Sequence, residues 1–176
     1  MAQGLLLIAW ETRTHLPESK AFSKQVLESN KQAFMLEFVQ SELFGLEYSS
    51  SVTPTAFVDA LFSNADVTPS STDRAAAIAE FGNAVNTANN QARARVLRRV
   101  AEHPALAQQE FNRAFVLMQY FGYLRRNPND APEGGLNFDG YNFWLNKLNQ
   151  FNGNFADADM VKAFIVSAEY RQRFGP

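Results

Sequence analysis

Six oxygen-bearing side chains lie within one short stretch of the C-terminal third, and hard cations such as Ca²⁺ prefer ligands of this kind. They are Asn127, Asn129, Asp130, Glu133, Asn137 and Asp139. Their spacing does not match the EF-hand loop, in which acidic or amide residues at alternate positions precede an obligatory Gly and a distant Glu. Asn, Asp, Pro and Gly are also the ordinary residues of turns and caps. We therefore interpret residues 127–139 as a loop, with calcium binding as an alternative.

Paired carboxylates could serve a glycosidase, which needs one carboxylic acid of raised pKa and one ordinary carboxylate across a sugar cleft. Glu37 with Glu42, and Glu102 with Glu110, are the pairs to consider. Solvated carboxylates are common on helices, so their spacing is unspecific. Glu169 is interpreted as an exposed or capping residue. We predict that the protein is not an enzyme, and a helical glycan-acting hydrolase is the less favoured alternative.

The chain contains no Cys and two histidines, His15 and His103. The absence of Cys excludes disulfides, Cys-ligated zinc, iron–sulfur clusters and thiol nucleophiles. Neither histidine lies in a His-x-x-x-His or Glu-x-x-His pattern, so they predict no zinc site. His103 precedes Pro104 and is expected to end a helix, where it would interact with the last carbonyl groups. We predict no cofactor.

Four arginines on one predicted helix could contact the phosphates of a nucleic-acid backbone. They are Arg93, Arg95, Arg98 and Arg99. The whole chain, however, has 16 Lys and Arg against 18 Asp and Glu, and its net charge of −2 offers no overall field to attract nucleic acid or an anionic membrane. We therefore predict a solvated or salt-bridged helix face and no nucleic-acid partner. The apolar run at residues 5–10 is too short to span a bilayer, so it predicts a packed strand or helix turn and no membrane insertion.

Apolar residues recur at helical intervals along most of the chain, and no alternating stretch is long enough for a sheet. We therefore predict an all-α protein of seven to eight helices. Hydrophobic residues are 46% of the chain, and its 16 Phe supply a large apolar area. A chain of this length buries roughly 70% of the surface that its unfolded form exposes, so packing alone can stabilise it.

Capping residues mark the helix ends in the N-terminal part. A short helix is expected over residues 18–27, followed by a helix that Ser29 or Asn30 caps. The buried face of this second helix is predicted to hold Phe34, Met35, Phe38, Val39 and Leu43. Thr53 and Pro54 predict a cap and a first-turn proline at the start of the next helix. Its buried face is predicted to hold Phe57, Val58, Leu61 and Phe62, and Ser63-Asn64 to end it.

The remainder of the chain contains the longest predicted helix. Residues 70–73 are expected to open an Ala-rich helix, and another follows from about Ala88. Residues 104–126 predict the longest helix, which we interpret as the central element because it has two apolar stripes. One stripe is Phe111, Phe115 and Met118, and the other is Ala114, Leu117, Phe121 and Leu124. After the loop, Asp139 is expected to cap a helix, and the last helix begins near Asp157. These two helices are predicted to bury Tyr141, Trp144, Leu145 and Leu148, and Met160, Val161, Phe164, Ile165 and Ala168, respectively.

Nine aromatic residues of the C-terminal third could line a groove for a ligand or partner, although such residues usually form core. They are Tyr120, Phe121, Tyr123, Phe138, Tyr141, Phe143, Trp144, Phe151 and Phe155. Because Phe143 and Trp144 are adjacent, they leave a helix on different sides. At least one of the two is therefore expected to cover a neighbouring module or the loop.

Short segments recur at spacings near sixty residues. Residues 57–62 align with residues 115–120, and residues 39–43 align with residues 166–170, with residues 100–106 between these last two segments. The repeat predicts two similar stacked helical modules and a partial N-terminal one. Their boundaries are 1–51 for the tail of a preceding module, 52–108 for the first module and 109–176 for the second.

A family resemblance rests on motif residues of the last module. They are Tyr120, Tyr123, Arg126-Asn127-Pro128-Asn129, Gly140, Trp144 and residues 164–170. At these positions the chain resembles the bacterial DUF forty-two fourteen family, whose pattern is a Tyr-containing helix, Arg-x-Pro-Asp, Gly, a Trp-bearing helix and Phe-x-x-Ser-x-Glu-Tyr. The resemblance covers residues 110–175 well and residues 52–108 loosely, with Asn129 where the family usually has Asp.

The resemblance implies an all-helical module of a large exported bacterial protein, found beside surface-layer, calcium-binding repeat or Calx-beta type domains and similar to phycobilisome linker domains. We therefore expect a non-catalytic helical scaffold or interaction module, secreted or at the cell surface. Its expected partners are neighbouring domains of a longer polypeptide or another surface protein. The alternative is a calcium-dependent or glycan-binding module.

Overall fold

Every regular element of the computed structural model is helical within residues 17–175, the part of the chain that the structure describes. The α-helices are α1 (Pro17–Val39), α2 (Glu42–Glu47), α3 (Pro54–Asn64), α4 (Ser71–Ala79), α5 (Asn90–Ala101), α6 (Pro104–Gln119), α7 (Asp139–Gln150), α8 (Met160–Ile165) and α9 (Ala168–Phe174). A π-helix, π1 (Tyr120–Leu124), continues α6. The all-α class is confirmed, and the nine α-helices of the described residues slightly exceed the seven to eight expected. The predictions for residues 5–10 and His15 lie outside these residues.

None of the described helices is both long and apolar enough to cross a membrane.

Side-chain caps begin several helices where the sequence predicts them. Thr53 Oγ1 accepts a hydrogen bond from the backbone N–H of Ala56 at 3.3 Å, ahead of α3. Ser70 Oγ accepts one from the N–H of Asp73 at 3.1 Å, ahead of α4. These caps satisfy N–H groups that have no partner within the helix. The starts of α3 and α4 are therefore explained by local chemistry.

Helix α1 differs from its prediction because it is one continuous helix of 23 residues. Ser29 and Asn30 lie in its interior, so neither begins a helix. Only Met35 and Val39 of the predicted face are buried, at 8% and 4% exposure. The other three, Phe34, Phe38 and Leu43, are exposed. The apolar residues of α1 thus form a wider band than the face that the core covers.

The last predicted helix is divided into α8 and α9. Ser167 Oγ accepts a hydrogen bond from the N–H of Tyr170 at 3.1 Å and so begins a new helix in the middle of the predicted one. Because the chain changes direction there, Ile165 and Ala168 are exposed. Tyr170 and Phe174, one helical turn apart on α9, form an aromatic pair with ring centroids 4.9 Å apart.

The chain divides into two compact units. The first comprises the residues up to Ala60 together with Ser70–Arg98, and the second comprises Leu61–Pro69 together with the residues from Arg99 onward. Helices α3 and α5 each contribute residues to both. The boundaries after residues 51 and 108 follow from the sequence repeat and stay a prediction.

A buried arginine lies in the core of the first unit. Arg93 is 2% exposed, and its guanidinium lies 5.1 Å from the ring centre of Phe44 and 4.8 Å from that of Phe57. Its Nη2 donates to the Tyr48 carbonyl at 2.6 Å, and its Nη1 donates to the carbonyl and Oγ1 of Thr87 at 3.4 and 3.3 Å. Desolvation lowers the pKa of Arg93. No carboxylate of the described residues pairs with this side chain, so backbone oxygens and aromatic faces stabilise its charge.

The core of the second unit follows one line along α6 and π1. Val116, Tyr120 and Leu124 are buried at intervals of four residues. The two predicted stripes of this helix are wrong as buried faces, because Phe111, Met118 and Phe121 are exposed and most of the rest are half-buried. The wider turn of π1, in which the N–H of Arg125 bonds to the carbonyl of Tyr120, keeps Tyr120 and Leu124 in register with Val116.

Candidate functional site

A cavity of about 250 Å³ lies in the second unit and opens to solvent. Its wall combines residues of π1, the following loop, α7, α8 and α9. They are Tyr120, Leu124, Arg126, Glu133, Gly140, Trp144, Ala163, Phe164, Ser167 and Glu169. The chemistry of the cavity depends on which of its polar groups are already paired.

All the donors of Arg126 are directed to protein oxygens. Nε and Nη2 donate to the two carboxylate oxygens of Glu169 at 2.8 and 3.1 Å. Nη1 donates to the carbonyls of Asn127, Pro128 and Asp130 at 3.0, 3.1 and 3.2 Å. Hydrogen bonding to Glu169 raises the pKa of Arg126. The guanidinium therefore joins the loop to α9 and has no donor left for an anion.

Glu169 is thus not the exposed or capping residue that the sequence predicts. Its side chain is 18% exposed, and that of Arg126 is 8% exposed. It does lie in the first turn of α9, where a carboxylate is also favoured by the helix dipole. Glu169 is partly buried because it pairs with Arg126, which is 43 residues away in the sequence. Sequence spacing does not reveal such a pair.

Tyr120 is 3% exposed, and its ring packs edge-on against Phe164 with centroids 5.2 Å apart. The guanidinium of Arg126 lies 5.2 Å from the ring centre. The hydroxyl makes no hydrogen bond to any residue of the described chain. Burial, and then the negative charge of Glu133, raise the pKa of Tyr120 to about 12. The hydroxyl is therefore neutral over the whole physiological range.

The raised pKa predicts a loss of stability at alkaline pH. The folded protein holds the Tyr120 proton more tightly than the unfolded chain does. The contribution of this proton to the free energy of unfolding is therefore complete below the ordinary pKa of 10.0 and is lost as pH rises towards 12. Tyrosinate absorbance of the native protein should show one equivalent that titrates last. In Tyr120→Phe that equivalent should be missing and the alkaline decline of stability shallower. An unchanged decline would contradict the prediction.

Gly140 allows Glu133 and Tyr120 to approach the start of α7. A Cβ on Gly140 would lie 2.8 Å from the Tyr120 hydroxyl and 2.9 Å from Glu133 Oε1. Glu133 Oε1 accepts a hydrogen bond from the Gly140 N–H at 3.3 Å, and Oε2 lies 3.5 Å from Arg126 Nη2. The absence of a side chain here keeps the floor of the cavity open.

Gly140→Ala should therefore lower the free energy of unfolding by about 1 to 3 kcal/mol, since the buried Tyr120 must shift. Better helix propensity recovers less than about 1 kcal/mol of that loss. Gly45→Ala in α2 is the matched control, because a Cβ there has no atom within 4 Å. We expect Gly45→Ala to be neutral or stabilising in chemical denaturation. If the two variants are equally stable, Tyr120 and Glu133 move away from the added Cβ at position 140 without a measurable loss of stability.

Trp144 is half-buried on the cavity wall. Its ring lies 5.6 Å from that of Phe164 and 5.1 Å from that of Phe143, and Lys147 Nζ is 5.3 Å from its centre. Phe143 points to the surface at 58% exposure.

Trp144→Ala is expected to cost about 2 kcal/mol, less than the 3 to 5 kcal/mol of a fully buried ring, because only part of its surface is removed from water. Chemical denaturation measures this cost. Phe143→Ala is the neighbouring control and should cost much less. A loss from Trp144→Ala as large as that of a core tryptophan would mean that a further surface covers the ring.

Seven residues of the family pattern meet at this one cavity. They are Tyr120, Arg126, Gly140, Trp144, Phe164, Ser167 and Glu169. No family model, curated protein or solved structure matches the chain. The resemblance to the DUF forty-two fourteen family therefore stays a prediction from the motif. The sequence did not indicate the pairing of Arg126 with Glu169, nor the role of Glu133 beside Gly140.

Two of the three carboxylates in residues 127–139, those of Asp130 and Asp139, accept hydrogen bonds from asparagines of the same segment. Asp130 Oδ2 accepts from the N–H and Nδ2 of Asn127 at 3.0 and 2.8 Å, and Asp139 Oδ2 accepts from Asn137 Nδ2 at 2.8 Å. Among the described residues no group of three or more His, Cys, Asp or Glu could hold a metal ion. The geometry of residues 127–139 thus adds no support to the calcium alternative.

The other candidate residues are placed outside the cavity. Glu37, Glu42, Glu102 and Glu110 are all exposed. His103 begins α6 instead of ending a helix, because its Nδ1 accepts from the N–H of Ala105 at 3.2 Å. Of the four arginines, Arg95 pairs with Glu80 at 2.6 Å and Arg98 pairs with Glu28, as a salt-bridged face predicts. Arg93 corrects that prediction because it is buried.

Proposed function

We propose that this chain is a non-catalytic helical interaction module of a larger exported or cell-surface bacterial protein, as its resemblance implies. The paired groups of the cavity support a structural role, since Arg126 directs its donors to Glu169 and to three loop carbonyls. A catalytic nucleophile must be a side chain that is free to react and that a neighbouring base or a lowered pKa activates. Here the charged groups join the loop to α9.

The observation that carries the proposal is an exposed apolar row on α6. Phe111 and Met118 are 57% and 60% exposed, and Phe155, beside them, is 45% exposed. The ring of Phe115 stacks on those of Phe111 and Phe155, with distances between ring centroids of 6.1 Å and 5.0 Å. We call these four residues the contact row. Aromatic residues and Met are enriched where proteins bind one another, so the row suits a neighbouring domain or another surface protein.

The row also explains the failed prediction for this helix. Residues at positions i, i+4 and i+7 form one face, and that spacing predicts burial against the chain's own core. On α6 the same spacing occurs on the exposed side, with Val116 and Tyr120 buried on the other. A helix that packs against its own core on one side and against a binding partner on the other needs an apolar face on each side.

Photo-crosslinking in the native host tests the proposal. A photoreactive amino acid at Met118, in the whole polypeptide to which this chain belongs, should yield products that map to one segment of a neighbouring domain or of one surface protein. The matched control places the same amino acid at Asn146, which is exposed on α7 outside the row. No enrichment at Met118 over Asn146 would overturn the contact role.

An activity screen tests the alternative of a glycan-acting hydrolase. We expect no turnover of peptidoglycan or surface polysaccharide. Hydrolysis by the parent protein that the variant Glu133→Gln abolishes would overturn the non-catalytic role.

A thermal melt with calcium tests the calcium-dependent alternative. The melting temperature should not rise with calcium at concentrations of about 1 mM, because a ligand that binds the folded state must stabilise it. A rise that saturates would instead favour the calcium-dependent module.

A further inference from the structure

The charged side chains on the cavity wall are Arg126, Glu133 and Glu169. Glu169 pairs with two cations, Arg126 at 2.8 Å and Arg173 at 3.6 Å, so its charge is compensated. The donors of Arg126 are already directed to Glu169 and to loop carbonyls. What the cavity offers a ligand is therefore an acceptor surface in which Glu133 is the more weakly paired carboxylate. Arg126 lies 3.5 Å from Glu133 Oε2 but at hydrogen-bonding distance from Glu169.

A second, independent feature is the unpartnered hydroxyl of Tyr120. The residue is 3% exposed, and its hydroxyl has no hydrogen-bond partner among residues 17–175. It faces the cavity beside Gly140, on the same side of that glycine as Glu133 Oε1: a Cβ there would lie 2.8 Å from the hydroxyl and 2.9 Å from Oε1. The oxygen itself is not fully enclosed, so solvent can reach it through the cavity. A ligand donor that enters between the two oxygens would replace that water.

The rest of the wall is apolar and suits an alkyl chain. Trp144, Phe164, Leu124 and Ala163 line it. The volume of about 250 Å³ exceeds that of several water molecules, at about 30 Å³ each, so an ammonium group with a short chain fits. A hard metal ion needs six or more oxygen ligands and would find too few here.

We propose that this cavity binds a primary alkylammonium group, which donates to Glu133 Oε1 and to the Tyr120 hydroxyl while its alkyl chain packs against Trp144 and Phe164. The ammonium is a compact point charge with three donors, which matches two acceptors and an open side towards solvent. It belongs to a lysine side chain or to a free amine, which share this chemistry. The cavity's ligand chemistry is independent of the contact row on α6.

The direct test is a titration of the unmodified protein with butylammonium. The Gly140 amide and the Trp144 indole signals in nuclear magnetic resonance report on the cavity. We expect a saturable shift with a Kd of about 1 to 10 mM, as suits a ligand of few atoms. Butanol and butyrate are matched in size but lack the positive charge and should cause no such shift. A shift of equal size and affinity with butanol, or no saturable shift with butylammonium, would overturn the proposal.

Two variants assign the binding to the named oxygens. Glu133→Gln keeps the shape of the side chain but removes its charge, and it should weaken binding by about 10-fold or more. Tyr120→Phe should weaken it by a smaller factor, about 3-fold to 10-fold. Glu110→Gln, on the exposed face of α6, is the control and should bind as the parent does. Unchanged affinity in both cavity variants would overturn the proposal, and the titration of the unmodified protein remains decisive if a variant does not fold.

A last comparison distinguishes the two sources of the ammonium. Nα-acetyl-lysine methylamide carries the same alkylammonium on a peptide backbone. Tighter binding than butylammonium would support a lysine of a partner polypeptide, and equal binding would support a free amine. The Nε-acetylated form has no positive charge and must fail to bind. Its binding with the same affinity would contradict recognition of an ammonium.

Discussion

Replacing Arg93 with Ala should lower the free energy of unfolding of the first unit by about 3 to 5 kcal/mol. The change leaves the Tyr48 carbonyl and both Thr87 acceptors without their donor. It also leaves a cavity between the rings of Phe44 and Phe57, where the guanidinium lay. Urea denaturation followed by circular dichroism measures the loss. A cost below about 1 kcal/mol would contradict it.

Two further variants separate packing from hydrogen bonding at Arg93. Burial of a charge is itself costly, and a well-packed apolar side chain sometimes replaces a buried ion without loss. Arg93→Met keeps most of the volume but none of the donors. Arg93→Lys keeps the charge but has no planar fork to reach Tyr48 and Thr87 together. We expect Met and Lys each to lose about 2 to 3 kcal/mol, because Met removes the donor to all three acceptors and Lys cannot donate to all of them at once. Parent-like stability of Arg93→Met would show that only the volume matters.

The second large effect is expected at the pair of Arg126 and Glu169. Arg126→Ala should cost about 2 to 4 kcal/mol, because the mostly buried Glu169 loses its hydrogen-bonded cation and keeps only the longer ion pair with Arg173 at 3.6 Å. It also removes the donor to three loop carbonyls. The amides of residues 127–138 should then exchange with solvent faster than in the parent, which hydrogen exchange detects. A loop that is as protected as before would contradict the role of Arg126.

A double-mutant cycle with Glu169→Ala isolates the coupling of the two side chains. We expect a coupling energy of about 1 to 3 kcal/mol, since the two residues share one hydrogen-bonded pair. The matched control is the exposed pair of Arg113 and Glu110, which lies on one helix at 2.6 Å. Solvent screening should reduce its coupling to about 0.5 kcal/mol or less. Similar coupling in both pairs would mean that burial adds nothing at Arg126.

The prediction of fold class succeeded because it rests on local interactions. Thr53 and Ser70 cap their helices through hydrogen bonds that span three residues. The loop at residues 127–138 holds two Pro and two Gly, residues that favour turns and disfavour the interior of a helix. An all-α structure with most of its helix starts therefore follows from neighbouring residues alone.

The buried faces were predicted less well. Phe111 and Met118 on α6, like Phe34 and Phe38 on α1, have helical spacing but are exposed. Apolar periodicity shows that a helix has an apolar face, but it does not specify which of two such faces the core covers. On α6 that choice depends on Leu148 and Phe164, which come from helices later in the chain and pack with Val116 and Tyr120.

By itself the sequence determined the helical class, the capped starts of α3 and α4, and the turn-rich loop. The predicted cap at Asp139 was wrong, because Asp139 lies in the first turn of α7, which no side chain caps. Only the tertiary structure decided that Arg93 is buried and that Arg126 pairs with Glu169. It also decided that Glu133, Gly140 and Tyr120 share one cavity. The reason is physical: caps and turns are set by bonds between neighbours in the chain. Burial and charge pairing depend on side chains that are far apart in sequence and meet only when the helices pack.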